Sequence, residues 1–147
     1  MNRDDSPGPS NDSADFERFL TGREAIGQAY ITGDARPLAA ISARQDPATY
    51  FSSHGAHVQG AAAVLSATKD AAGQFLPGGD TQFKILHMSA SGDLGYWVGV
   101  QHANVRMEGH NDPVEMHLRV TEIYRHEDDA WKLIHRHADP HASPITG

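Results

Sequence analysis

Apolar residues recur at helical spacing in the first part of the chain. The polar stretch 1–13, rich in Asp, Ser, Pro and Gly, predicts a disordered tail. After it, apolar residues return every three to four positions as far as Gly33, which predicts a helix with Ser13 as its N-cap. A shorter helix is predicted over residues 35–43, and the Ala-rich segment 61–75 predicts a third. After the tail, the first part of the chain is therefore predicted to be mainly helical.

The second half of the chain alternates apolar and polar residues, which predicts strands. Four long strands are expected over residues 81–90, 94–109, 114–125 and 131–139. Two short strands are predicted within residues 48–60, around a turn at Gly55. Consecutive strands with short connections form an antiparallel meander. The order therefore predicts an α+β fold, in which three N-terminal helices pack on one face of the sheet.

Length and composition limit the function. The 147 residues predict a single domain over 14–140, followed by a flexible tail over 141–147. A net charge of −7 without a basic run argues against nucleic acid as a partner. No apolar stretch approaches the ~20 residues that cross a bilayer, so we expect no membrane partner and a cytoplasmic location. The chain contains no cysteine, which excludes disulfides and thiolate chemistry.

Three stretches resemble a known family. The segment at 119–139, "RVTEIYRHEDDAWKLIHRHAD", is similar to the closing hairpin of SnoaL-like proteins, which belong to the nuclear transport factor 2 and ketosteroid isomerase superfamily. "YITGDARPLAAI" and "GAHVQGAAAV" resemble its helix-turn-helix entry and the Gly before its third helix. The resemblance covers residues 14–140. It implies a cone-shaped, strongly curved antiparallel sheet (nuclear transport factor 2-like, cystatin-like) with an internal cavity, a small organic molecule as partner, and a homodimer formed through the outer sheet face.

The ketosteroid isomerase reaction is not expected here. It needs a carboxylate base on the first strand, together with a Tyr and a protonated Asp that donate to the oxyanion. The resemblance aligns Ser52 with the base and Ile26 with the tyrosine, although Tyr30 lies one helical turn further on. The third position falls near Val120 or Thr121. We therefore predict that the chain lacks this activity.

Strand periodicity suggests which polar groups face the cavity. On 114–125 the even positions are mostly apolar and include Glu122, so this face is expected to point inward. On 94–109 the even positions include Tyr96 and lead to His102, and the same rule predicts that they face inward. A carboxylate and an imidazole on neighbouring strands could form a catalytic acid/base pair. Alternatively, both lie at a solvated rim or pair structurally.

The last strand gives two conflicting predictions. Its composition points the odd positions inward, among them Trp131, His135 and His137. The family register instead points Ile134 and Arg136 inward, and we favour this alternative. A bulge that switches the strand's faces midway would make each prediction correct for part of the strand. An inward Arg136 would favour a ligand that carries a carboxylate or enolate.

The histidines raise the question of a metal. In "WKLIHRHADPH", residues 131–141, the side chains of His135, His137 and Asp139 lie on one strand face, which suits two ligands of one ion. A third ligand would have to come from elsewhere, for which His87, His102 and His117 are candidates. The resembling family carries the H-x-H pair in proteins that need no metal. We therefore predict no metal and no cofactor.

These observations predict a protein that binds a small organic molecule. The expected cavity lining is Tyr30, Ser52, Tyr96, His102, Met116, Glu122, Ile134 and Arg136, with His135 and His137 on the alternative strand face. Cofactor-free isomerase, cyclase or lyase chemistry through His102 and Glu122 is one reading. The alternative is a non-catalytic association or ligand-sensing module that uses the fold to dimerise. Buried polar groups with perturbed pKa values would favour the enzyme, and a cavity filled by side chains such as Trp97, Phe51 and Tyr96 would favour the module.

Overall fold

The computed structural model describes residues 8–141 and places four helices against one six-stranded sheet. The helices are α1 Gly8–Leu20, α2 Arg23–Tyr30, α3 Arg36–Ile41 and α4 Ala61–Ala72. The strands are β1 Thr49–Phe51, β2 His57–Gln59, β3 Phe75–Ser91, β4 Leu94–Met107, β5 Val114–Glu127 and β6 Ala130–Pro140. The predicted α+β fold, with helices on one face of the sheet, is confirmed. None of the described helices is long and apolar enough to cross a membrane.

The strands lie in the order β2-β1-β6-β5-β4-β3. β3 to β6 form the predicted antiparallel meander, and β1 pairs with β6 in parallel. The last strand of the chain therefore lies inside the sheet, where it joins the short β1–β2 hairpin to the meander.

The helix predicted up to Gly33 is present as two helices. The chain turns at Thr21 and Gly22, where the Thr21 hydroxyl donates to the carbonyl of Arg18 at 2.6 Å. α1 begins at Gly8, so Ser13 lies inside it, and the N-cap prediction is wrong. Its hydroxyl instead donates to the carbonyl of Ala90 at 3.2 Å, which ties α1 to the sheet.

Both predicted tails fall mainly outside the described residues. Residues 8–13 of the N-terminal segment belong to α1. Residues 1–7 and 142–147 lie outside the part of the chain that the structure describes.

The core lies between α1 and the inward face of β4, β5 and β6. Phe16 is fully buried, with its ring centroid 4.9 Å from that of Trp131 and 5.5 Å from that of Tyr124. A Cβ on Gly95 would lie 3.0 Å from the Phe16 ring, so the absence of a side chain there lets the helix approach β4. This contact fixes α1, and the α2 that follows it, over the interior of the sheet.

A bulge in β6 changes which residues face inward. Ile123 of β5 pairs with His135, but Tyr124 pairs with Leu133, so Ile134 is the extra residue. Before the bulge Trp131 is buried at an odd position, and after it Ala138 is buried at an even one. Each of the two conflicting predictions for this strand is therefore correct for one half.

Candidate functional site

The interior of the sheet contains a fully buried carboxylate, Glu122. Arg23 binds it through two hydrogen bonds, from Nε at 3.0 Å and from Nη2 at 2.9 Å. Arg136 donates from Nη1 at 2.7 Å and Trp97 from Nε1 at 2.8 Å, and the Tyr124 hydroxyl also donates. Glu122 thus accepts five hydrogen bonds, two of them forming a fork with one guanidinium.

The strand register explains why these groups meet. Glu122 of β5 is paired with Trp97 of β4 on one side and with Arg136 of β6 on the other. Tyr124 lies two residues along the same strand and therefore on the same face. Arg23 is the first residue of α2, and the packing of that helix over the sheet places its side chain, 3% exposed, above them.

The charges of this cluster fix the protonation of Glu122. Burial alone would raise its pKa, but the guanidiniums of Arg23 and Arg136 and the hydrogen bonds from Arg23 and Tyr124 outweigh burial. The pKa of Glu122 consequently lies well below its ordinary value. Burial and the neighbouring carboxylate raise the pKa of Tyr124. At neutral pH Glu122 is therefore a permanent anion and Tyr124 a permanent donor.

The cluster carries more positive than negative charge. Two guanidiniums, those of Arg23 and Arg136, share the single carboxylate of Glu122. Nη1 of Arg23 is buried and has no hydrogen-bond partner among the described residues. Nη2 of Arg136 donates to Oε1 of Gln101 at 2.7 Å, and Gln101 in turn donates to Thr81 at 3.0 Å. The second guanidinium shares Glu122 and is otherwise held by a neutral amide, so one of the two positive charges has no counterion of its own among the described residues.

Two tyrosines extend the site from α2 and β1. Tyr50 is paired with Arg136 in the parallel β1–β6 ladder. Tyr30 packs its ring on Phe75, with centroids 5.4 Å apart. Burial, together with Tyr50, raises the pKa of Tyr30, while Arg136 and Arg23 act to lower it and do not prevail. Tyr30 is therefore a protonated hydroxyl within electrostatic range of both guanidiniums.

His102 and Tyr96 do not lie in this interior, and the prediction that they face inward is wrong. The inward face of β4 is the odd one, where Trp97, Gln101 and Val105 are buried. Tyr96 lies on the outer face, with its hydroxyl 3.2 Å from Nδ1 of His87. His102 is exposed on the outer face, with Nε2 3.5 Å from Glu115. The expected pair of His102 and Glu122 is therefore not assembled.

The remaining predicted lining residues are spread over three locations. Ser52 lies in the turn after β1, where its hydroxyl accepts hydrogen bonds from the backbone N–H groups of His54 and Ala56, so its placement in the cavity is wrong. Met116 is half-buried against the core. Ile134, at the bulge, packs against three buried alanines between the sheet and the helices: Ala43, Ala48 and Ala61.

His135 and His137 lie on the outer side of β6 around Phe51. The ring centroids of these histidines are 5.0 and 5.4 Å from that of Phe51. Nδ1 of His135 lies 2.7 Å from the Thr49 hydroxyl, and burial together with His137 lowers the pKa of His135. A groove of about 600 Å³ runs beside Phe51 and His137 on the surface, away from Glu122.

Arg23 is a site residue that the predicted cavity lining lacks, although the sequence carries a signal for it. Arg23 continues the apolar helical spacing of Phe16 and Leu20 and precedes Gly27 by four residues, so it lies on the stripe that faces the sheet. A charged residue on a buried stripe requires a buried partner. Glu122, at an otherwise apolar inward face, is the matching half of that signal.

Solved structures share this fold. A nuclear transport factor 2-like superfamily protein from Salmonella enterica has a TM-score of 0.73 at 10% identity, and 89% of this chain and 94% of that chain are covered. A proposed dehydratase of the same superfamily from Streptomyces avermitilis has a TM-score of 0.69 at 20% identity, with 88% and 98% covered. An uncharacterised protein with a cystatin-like fold from Caulobacter vibrioides has a TM-score of 0.67 at 14% identity, with 88% and 90% covered.

These neighbours establish a nuclear transport factor 2-like, cystatin-like α+β fold with the curved, cone-shaped sheet that the resemblance implied. No curated protein matches the chain by sequence. The model of the SnoaL-like domain, however, matches residues 23–142, which contain Arg23, Glu122 and Arg136. The chain therefore belongs to the SnoaL-like domain family.

Proposed function

We propose that the protein binds a small organic molecule that carries a carboxylate or enolate, in the interior of the cone next to Arg136. The observation that carries this proposal is the excess of buried positive charge, with two guanidiniums around the one carboxylate of Glu122. An unbalanced charge is costly in a region of low dielectric. An anionic ligand would offset that cost, which favours anions over neutral molecules of the same shape.

Arg136 is the guanidinium that a ligand can reach. Its side chain is 15% exposed, whereas the side chain of Arg23 is 3% exposed and that of Glu122 is fully buried. Glu122 and Gln101 hold both branches of the Arg136 fork, so the group is fixed before a ligand arrives. Such preorganisation reduces the entropic cost of binding.

The neighbouring side chains suit a partly apolar ligand. Tyr30 supplies a protonated hydroxyl within electrostatic range of Arg136, and a hydroxyl can donate to a second oxygen of an anion. Ile134, a partly buried apolar side chain, lies two residues before Arg136 on β6. A few fixed polar groups among apolar side chains are typical of small-molecule sites.

The chemistry of this cluster favours binding over proton transfer. Glu122 stays ionised at neutral pH because two guanidiniums flank it, so it is a poor general acid or base. His102 is on the opposite face of the sheet and cannot act with it. The proposed role of Glu122 is accordingly to position Arg23 and Arg136.

Calorimetric titration of the purified protein tests this proposal. The probes are benzoate and phenylacetate, each compared with its neutral amide of almost identical shape. We expect the carboxylates to bind and the amides to bind at least about tenfold more weakly, which corresponds to about 1.4 kcal/mol. Carboxylates that bind no better than their amides would contradict the proposed charge recognition, as would the absence of any binding tighter than about 1 mM.

The matched variants are Arg136→Gln and Arg119→Gln. Arg119 also lies in the meander, but it points outward and pairs with Asp139 at 2.8 Å. We expect Arg136→Gln to lose the preference for carboxylates and Arg119→Gln to retain it. Near-ultraviolet circular dichroism shows whether the Arg136 variant keeps its packed core. A folded Arg136→Gln protein with unchanged carboxylate affinity would exclude this residue as the recognition group.

A second candidate function, self-association, has a separate structural basis. The outer sheet face exposes Leu86 to 58%, and Val98 and Val100 lie beside it along a groove of about 450 Å³. Apolar side chains on an open sheet face favour burial against another surface. We therefore propose that two copies pair through this face. A non-catalytic association module that uses the fold to dimerise would need such a surface.

A further inference from the structure

Two histidines and a glutamate converge on the outer face of the sheet, on the side opposite to Glu122. His102 of β4 and His117 of β5 are directly paired across the strands, with ring centroids 4.2 Å apart. Glu115 lies two residues before His117 and so on the same face. Its carboxylate oxygens lie 3.5 Å from Nε2 of His102 and 3.6 Å from Nε2 of His117.

The spacing of these atoms fits one metal ion. One ligand atom from each of the three side chains lies within 4.8 Å of the other two. A tetrahedral zinc ion with ligands at about 2.0–2.1 Å separates its ligand atoms by about 3.3 Å. Each Nε2 lies close to that value from a carboxylate oxygen of Glu115, at 3.5 Å from Oε2 for His102 and 3.6 Å from Oε1 for His117. All three side chains are at least 47% exposed and can rotate, so that a single oxygen of Glu115 can serve both.

The donor set also selects the class of metal. Imidazole nitrogens favour Zn²⁺ and neighbouring transition metals over Mg²⁺ and Ca²⁺, which prefer oxygen ligands. Two imidazoles and one carboxylate leave at least one coordination position open to solvent. We propose that His102, Glu115 and His117 bind one divalent transition-metal ion of the Zn²⁺ type on the outer face of the β4–β5 pair.

This site is separate from the cluster formed by Arg23, Glu122 and Arg136. Gln101, which precedes His102, points inward and holds Arg136, so the two sites lie on opposite faces of the same strand. The metal would tie β4 to β5 at a cross-strand pair, and because it binds the folded state it would raise the stability of the fold. The site thus adds a structural role to a surface that the arginine chemistry does not use.

Isothermal titration of the full chain with Zn²⁺, in a buffer that does not bind metal, tests the inference. We expect one ion per chain at this site and a rise in the thermal midpoint on loading. Loss of outer-shell partners typically costs 10–100-fold in metal affinity, so loss of a direct ligand in His102→Gln or His117→Gln is expected to cost at least about tenfold. Glu115→Gln should weaken binding as well.

His87→Gln is the matched control, because His87 lies on the same outer face but contacts Tyr96 instead of the cluster. It should keep the wild-type affinity and the Zn²⁺-dependent rise in the midpoint, as should a His135→Gln and His137→Gln double variant. The ligands are exposed, so their variants should keep the wild-type midpoint without metal. The inference is overturned if His102→Gln and His117→Gln bind Zn²⁺ as tightly as the wild type, or if the wild type binds none.

Discussion

Each oxygen of Glu122 accepts more than one hydrogen bond, and the donors come from one helix and three strands. A buried carboxylate in this setting acts as an acceptor around which cationic and neutral donors are ordered. Removing its charge while keeping its shape would leave the buried Arg23 and the partly buried Arg136 without the counterion that they share. Glu122 is therefore the one counterion that both arginines share, whereas Glu122 would still have one arginine partner if the other were removed.

Replacing Glu122 with Gln should lower the free energy of unfolding at pH 7 by about 3–5 kcal/mol, because it leaves buried charge uncompensated. The difference should depend on pH. The pKa of Glu122 is lower in the folded chain than its unfolded value of about 4.3, so its contribution is present above that value and lost as pH falls below it. Urea unfolding of both proteins between neutral and acidic pH measures the difference.

Glu17→Gln is the control, because Glu17 is exposed on α1 and its substitution should change stability by no more than about 0.5 kcal/mol. If the free energies of unfolding of the wild type and Glu122→Gln differ by the same amount at every pH down to 3, the charge of Glu122 contributes little.

At the scale of single elements, Gly99 of β4 is the described glycine at which an added Cβ would come closest to another strand's backbone. A Cβ at this position would meet the carbonyl oxygen of Lys84 and lie 3.1 Å from Cα of Ile85. The pairing of β3 with β4 shifts register immediately afterwards, between Ile85 and His87. The missing side chain therefore lets β3 bend over β4 at its bulge.

Gly99→Ala should consequently destabilise the protein by about 1–3 kcal/mol, because backbone cannot move aside as a flexible side chain can. Gly22→Ala is the control, since its nearest atom lies 3.7 Å away and its φ of −94° suits alanine. Thermal unfolding of the two variants measures the contrast. Equal midpoints would mean that β3 moves away from β4 at little cost.

The helices and strands differ in how much of their structure could be predicted from the sequence. Helix and strand order follow from periodicity, and Glu122 is recognisable as a polar residue on an apolar strand face. Periodicity predicts the wrong inward face for β4, because the true inward positions include Gly95, Gly99 and Gln101, and that face looks less apolar in the sequence than the outer one. The small residues are there because Phe16 and β3 approach closely, and tertiary contacts of this kind leave no periodic signal.

The candidate sites, too, could be predicted from the sequence only in part. Arg136 could be placed inward through the family register, but the bulge at Ile134 that permits it depends on sheet curvature, which the sequence does not encode locally. The pairing of His102 with His117 depends on the register between β4 and β5. Strand register is a property of the assembled sheet, so these groups could be recognised as chemistry but not as neighbours.

At the scale of the whole molecule, the outer sheet face is the surface through which we propose that two copies pair. Val98→Lys would place a charge among the apolar side chains that line the groove and, in a twofold dimer, would bring two like charges into the interface. We expect this variant to be monomeric while the wild type is dimeric, as measured by light scattering coupled to gel filtration. Ala62→Lys adds the same charge on the exposed side of α4 and should leave the dimer intact. A monomeric wild type, or a dimeric Val98→Lys, would contradict pairing through this face.

The position of β6 inside the sheet also sets an order of events during synthesis. The helices and the β1–β2 hairpin emerge from the ribosome before the strand that joins them to the meander. Arg23 precedes its carboxylate by 99 residues, and Asp15 precedes its partner Trp131 by 116. A nascent chain that ends before β6 thus has the β1–β2 hairpin and the β3–β5 strands as two separate pieces of sheet. Its Arg23 also lacks Arg136 as a neighbour. The sheet and the cluster of Arg23, Glu122 and Arg136 are therefore completed together, by the last of the six described strands to be translated.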